Sequence, residues 1–132
     1  MGKLLLPSGL LPKDLLDIYS NMVLVRQLDE RVWALNRQGK AAIIASCKGH
    51  EAAQLASYLA LSQRVKDCWV FPYYRDLAVV IGLGITPTEV MLGFQAKAGE
   101  PLSGARQFPL HGASVKNRLI GLSNVVATQV PQ

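Results

Sequence analysis

The reading of the fold turns on the stretch "VFPYYRDLAVVIGLG", Val70 to Gly84. With the preceding "VKDCW", its first half has the β-branched and aromatic content of a short strand. That strand should stop at Pro72, which lacks the N–H a ladder needs. After Asp76 the chain is almost continuously apolar, and its periodicity fits a buried helix and a buried strand alike. Between the halves, Tyr73, Tyr74 and Arg75 crowd against Asp76. An Arg fork gives two parallel hydrogen bonds to a phosphate or carboxylate, and a Tyr hydroxyl adds a third donor. A local Arg75–Asp76 pair with aromatic packing explains the same spacing, so both readings stay open here.

Upstream, Leu11 to Gln38 reads as one long helix. Pro12 suits the first turn, and Asp14 and Asp17 suit its positive end. Leu15, Tyr19, Met22, Leu28, Val32 and Leu35 recur at roughly helical spacing, and Gly39 is a natural stop. A second helix is expected after Gly49, with Leu55, Tyr58 and Leu59 on its apolar face and alanines that permit close packing. Downstream, "TPTE" (86–89) is a capping box with Pro87 at the first helical position, and its helix should run to about Lys97. From Gly99 to Asn124, glycines and prolines predict irregular chain, and an irregular stretch of this length points to function. An apolar segment begins at "SNVVATQVPQ", and the sequence then stops, so it reads as cut.

The 132 residues suffice for one small core, and 50% apolar with 17% charged residues fits a folded globular chain. The longest apolar run, Leu77 to Ile85, is too short to cross a membrane. Pro7 and Pro12 interrupt the N-terminal apolar stretch, which argues against a signal peptide. Leu6 stands where a myristoylation signal needs Ser or Thr. The expected location is the cytoplasm. A net charge of +5 suits an anionic ligand. The basic residues are scattered, so a nucleic-acid-binding domain is the weaker rival, and neither nucleic acid nor membrane is expected as a partner. Cys47 and Cys68 are far apart and read as reduced, partly buried thiols.

Gly82 and Gly84 form only G-x-G and read as packing or turn residues. His50 and Glu51 read as helix-capping residues, with an acid–base pair as the sharper alternative. His111 is a loop histidine, solvated or functional. Ser123, Asn124, Thr128 and Gln129 place small polar oxygens around "VVA". They could cap a helix or ligate a hard cation.

Taken together, "RQLDERVWALNRQGK", "GHEA", "PYYRD", "SGARQFPLH" and "VVATQVPQ" resemble, in order, the alpha subunit of the thiamine-diphosphate-dependent first component of 2-oxo acid dehydrogenase complexes. The resemblance covers residues 12–132, with 1–11 as an N-terminal extension. It implies an α/β parent fold, of which this chain is the mostly helical N-terminal part. It implies oxidative decarboxylation of a 2-oxo acid and acyl transfer to a lipoyl group. Tyr74 and Arg75 match residues that contact the cofactor diphosphate. Val126 matches a position that meets the aminopyrimidine ring, with Asn124 close by. Ser123, Thr128, Gln129 and the Val125 carbonyl match a potassium site of branched-chain members. The implied partners are a beta subunit, the remaining C-terminal part of the alpha subunit and a lipoyl-bearing acyltransferase.

Some positions depart from the family pattern. His50 replaces a Gln, and Ala105 replaces the second Gly of the loop motif. Ala45 stands where pyruvate-specific members carry a histidine. With Ile43 and Ile44 it makes an apolar wall that favours a branched-chain substrate, though a methylene discriminates by only about 1–3 kcal/mol. No Gly-Asp-Gly occurs in the sequence. The Mg²⁺ ligands are therefore expected outside this chain, and the isolated chain is expected to be inactive. The rival from another class is a non-catalytic module that packs on a partner subunit.

Overall fold

The computed structural model describes residues 9–121. It contains four helices: α1 (Pro12–Arg37), α2 (Glu51–Ser62), α3 (Leu77–Gly82) and α4 (Pro87–Phe94). The longest, α1, packs against the other three, and α2 also packs on α3.

Helix α1 starts as its sequence dictates. Pro12 occupies the first turn, and the Asp14 carboxylate accepts the Leu11 N–H at 2.7 Å. It ends in a Schellman motif. The Lys40 N–H reaches back to the Leu35 carbonyl and the Gly39 N–H to that of Asn36, with Gly39 at φ +70°. Its buried stripe is Val25, Leu28, Asp29, Val32 and Leu35. Tyr19, expected on that stripe, is 65% exposed, because in these turns Ile18 and Met22 are the side chains that pack on the core.

The ambiguous run 77–84 is helical. All residues of Leu77–Ile81 are buried, and an α-helix satisfies its own backbone while surrounded by apolar neighbours. A second Schellman motif ends it at Gly84, φ +96°, with Ile85 N–H on the Val80 carbonyl. Gly82 lies against the Tyr58 ring, where an added Cβ would come within 2.7 Å. The two glycines thus serve as a packing and a turn residue.

Helix α4 has the expected capping box. Thr86 Oγ1 accepts the Glu89 N–H, and the Glu89 carboxylate accepts the Thr86 N–H at 2.7 Å. It ends at Phe94, short of the expected Lys97. The cause is Ala96, which takes φ +52° and closes a third Schellman motif, Lys97 N–H to Leu92 carbonyl.

The described residues are mostly helical and form no sheet. The strand expected before Pro72 is reduced to one parallel bridge between Val70 and Leu119, beside an antiparallel bridge between Ser114 and Leu119. The irregular stretch after Gly99 is organised by Glu100. This buried carboxylate accepts the N–H groups of Leu102, Ser103 and Ala105 and the Ser103 hydroxyl. Burial alone would push its pKa up, but those donors outweigh burial and leave it lowered. Leu110 and Leu119 then enter the core beside Val25, Val32, Val80 and Val90.

Candidate cofactor-binding site

The turn before α3 is built around Asp76. Its carboxylate accepts the Tyr73 N–H at 2.8 Å and the Gln54 amide at 3.0 Å. Burial raises its pKa, and the Tyr73 N–H, the nearby His50 and Gln54 oppose that rise. Asp76 is thus committed to the turn, and the local Arg75–Asp76 pair weighed from the sequence does not form. Gln54, buried on α2, holds the same turn at further points. Its amide donates to the Arg75 carbonyl at 3.0 Å, and its oxygen accepts the Ala78 N–H at 3.2 Å.

The Arg75 side chain points elsewhere. Its Nη1 donates to the Ser46 carbonyl at 3.1 Å, and its guanidinium carbon lies 5.3 Å from the Tyr74 ring centre, within cation–π range. No carboxylate among the described residues forms an ion pair with it. Tyr74 packs against Tyr73 at 3.9 Å and stacks on His111 at 6.4 Å, and Phe108 meets His111 edge-on. Tyr73 has a raised pKa, chiefly through hydrogen bonding with Tyr74. His111 is buried, and its Nδ1 lies 2.9 Å from the Pro109 carbonyl. A carbonyl only accepts, so Nδ1 carries the proton.

Ser46 is anchored in turn. Its hydroxyl donates to Asp29 at 2.8 Å, and the Cys47 N–H donates to the same carboxylate at 3.0 Å. Burial pushes the Cys47 thiol up to about 12, with Asp29 and Glu51 adding to the effect. Both cysteines are free. Glu51 makes no acid–base pair with His50. It accepts from Arg26 at 2.7 Å and from the Gly49 N–H at 2.8 Å. The Arg26 hydrogen bond holds its pKa down against burial. Glu51 therefore ties Arg26 to the loop before its helix, and His50 makes no side-chain cap.

The structure thus joins two of the sequence landmarks, the "PYYRD" turn and the "FPLH" end of "SGARQFPLH", and brings the turn to the loop before "GHEA". Sequence reasoning missed Asp29, Ser46 and Gln54. A signal existed for Asp29, since it lies on one helical stripe with Val25 and Val32. Of the expected apolar wall, Ile44 packs on the core and Ile43 is exposed. Asn124, Val126, Ser123, Val125, Thr128 and Gln129 lie outside the described residues. Among the described residues, no three His, Cys, Asp or Glu side chains cluster to hold a metal ion, and no helix is long and apolar enough to cross a membrane. A groove of about 570 Å³ runs between α2 and residues 65–72 and 116–118. Asp76 lines it, but Tyr74 and Arg75 do not.

Residues 19–132 match the family model described as the dehydrogenase E1 component, and the chain belongs to that family. It is 45% identical over 123 residues to the 2-oxoisovalerate dehydrogenase subunit alpha of Bacillus subtilis (strain 168), covering 93% of this chain and 37% of that protein. It is 41% identical over 73 residues to the 3-methyl-2-oxobutanoate dehydrogenase subunit alpha of Mycobacterium tuberculosis (strain ATCC 25618 / H37Rv), covering 55% and 19%. It is 40% identical over 87 residues to the pyruvate dehydrogenase E1 component subunit alpha of Staphylococcus aureus (strain Mu50 / ATCC 700699), covering 66% and 23%. The chain therefore spans well under half the length of these relatives.

Proposed function

We propose that this chain contributes the diphosphate-facing side of a thiamine-diphosphate-dependent 2-oxo acid dehydrogenase, of the branched-chain type. The observation that carries the reading is Arg75: a cation held by the Ser46 carbonyl and the Tyr74 ring, with no carboxylate partner among the described residues. A guanidinium held this way suits an anionic phosphate group, and the adjacent Tyr74 hydroxyl supplies a further donor. The names of the relatives support the enzyme class, and two of those quoted name a branched-chain 2-oxo acid.

Thiamine diphosphate, when bound, supplies the nucleophilic carbon and the electron sink for decarboxylation. The chain's own residues bind and orient. Arg75 and Tyr74 neutralise and fix the diphosphate end. His111, with Nδ1 donating to Pro109, presents a fixed ring face against Tyr74 and keeps that ring in place. Val126 and Asn124 would meet the aminopyrimidine ring. Ser123, the Val125 carbonyl, Thr128 and Gln129 would hold a potassium ion, and Mg²⁺ would take ligands outside this chain. The reading includes an α/β parent fold, cytoplasmic location, a beta subunit and a lipoyl-bearing acyltransferase as acyl acceptor.

In an enzyme assembled with this subunit, Arg75→Ala should sharply raise the thiamine diphosphate concentration needed for half-maximal activity. An unchanged cofactor titration would place the diphosphate elsewhere.

A further inference from the structure

We propose that Asp29 and Gln54 are positioning residues that hold Arg75 from its two ends. The inference rests on the diphosphate reading of Arg75 and goes beyond it by assigning two residues that touch no cofactor.

The guanidinium end is set from α1. Arg75 Nη1 donates to the Ser46 carbonyl, and that carbonyl belongs to a loop with no regular secondary structure. Asp29 fixes the loop at consecutive residues, through the Ser46 hydroxyl at 2.8 Å and the Cys47 N–H at 3.0 Å. Asp29 is only 3% exposed and sits on the apolar stripe of α1 between Val25 and Val32. A carboxylate is a costly residue at such a place unless its hydrogen bonds are used, and here both oxygens are used on the Arg75 support.

The backbone end is set from α2. Gln54 is 7% exposed and spends its whole amide on this turn. Nε2 donates to the Arg75 carbonyl and to Asp76, and Oε1 accepts the Ala78 N–H. A long arginine side chain loses much rotamer freedom when it grips a phosphate. Holding both ends in advance removes part of that loss, which is how supporting residues raise affinity without contact.

The test reads the Arg75 side chain directly, in the full chain, by nitrogen-labelled NMR. Its Nε–H signal is assigned by its absence in Arg75→Ala. Asp29→Ala and Gln54→Ala should each collapse that signal toward the position of a mobile arginine, while methyl signals of Val32 and Val80 stay in place. Asp29→Asn should restore it, because the amide oxygen still accepts from Cys47 and the amide N–H can donate to the Ser46 hydroxyl oxygen. A signal unchanged in both alanine variants overturns the inference. Should Asp29→Ala not fold, Ser46→Ala takes its place, and an unchanged signal there and in Gln54→Ala is equally decisive. The cofactor titration of Arg75→Ala in the assembled enzyme separates the two ideas. If the Arg75 signal responds to the Asp29 and Gln54 variants but that titration is unchanged, the diphosphate reading falls and the clamp stands.

Discussion

Polar side chains inside the protein carry most of what is specific to it. Asp29, Glu51, Gln54 and Glu100 are all buried, and each spends its oxygens on backbone or side-chain donors. Removing such a group strands its partner. Asp29→Ala leaves the Cys47 N–H without its acceptor, and chemical denaturation should show a loss of about 1–3 kcal/mol. Glu51 sets an acid limit. Its folded pKa lies below the ordinary 4.5, so the stabilisation from Arg26 is complete above that pH and is lost as pH falls through the folded value. Glu51→Gln should therefore flatten part of the fall in Tm on acidification. Thiol chemistry divides by burial. Cys47, buried and pushed to about 12, stays protonated, whereas Cys68 is half-buried. Iodoacetamide at neutral pH should label Cys68 well before Cys47 in the folded chain, with mass spectrometry as the readout.

At the scale of elements, the sequence was legible wherever local chemistry acts alone. The starts of α1 and α4 follow from Pro12, Asp14, Thr86 and Glu89, and the stop of α1 from Gly39. The end of α4 was not legible, because Ala96 adopts a left-handed conformation that alanine disfavours. Ala96→Gly should relieve that strain and raise stability by about 0.5–1 kcal/mol in thermal unfolding, after the entropy cost of glycine in the unfolded chain. Thr86→Ala removes the cap of α4 and should cost about 1 kcal/mol. The run after Asp76 was undecided in sequence. Its helix depends on burial on every side and on Gln54 capping Ala78 from α2, neither of which is local.

For the whole molecule, the substrate is the open measurement. In an assembled enzyme, rates with 3-methyl-2-oxobutanoate should exceed those with pyruvate, and a strong pyruvate preference would defeat the argument from Ala45. The candidate site itself was half legible. Tyr74 and Arg75 stood out as a phosphate-type pair, but spacing alone leaned to an Arg75–Asp76 pair. The fold rules out the pair by giving Asp76 to Tyr73 and Gln54 and sending Arg75 to Ser46. The order of short motifs along the chain was enough to determine the family, because each motif is read within a few residues. The support of Arg75 by Asp29, Ser46 and Gln54, and the approach of His111 to the Tyr74 ring, only the tertiary structure decided. Those contacts join side chains far apart in sequence, and no local pattern encodes which buried donor will meet which acceptor until the helices have packed.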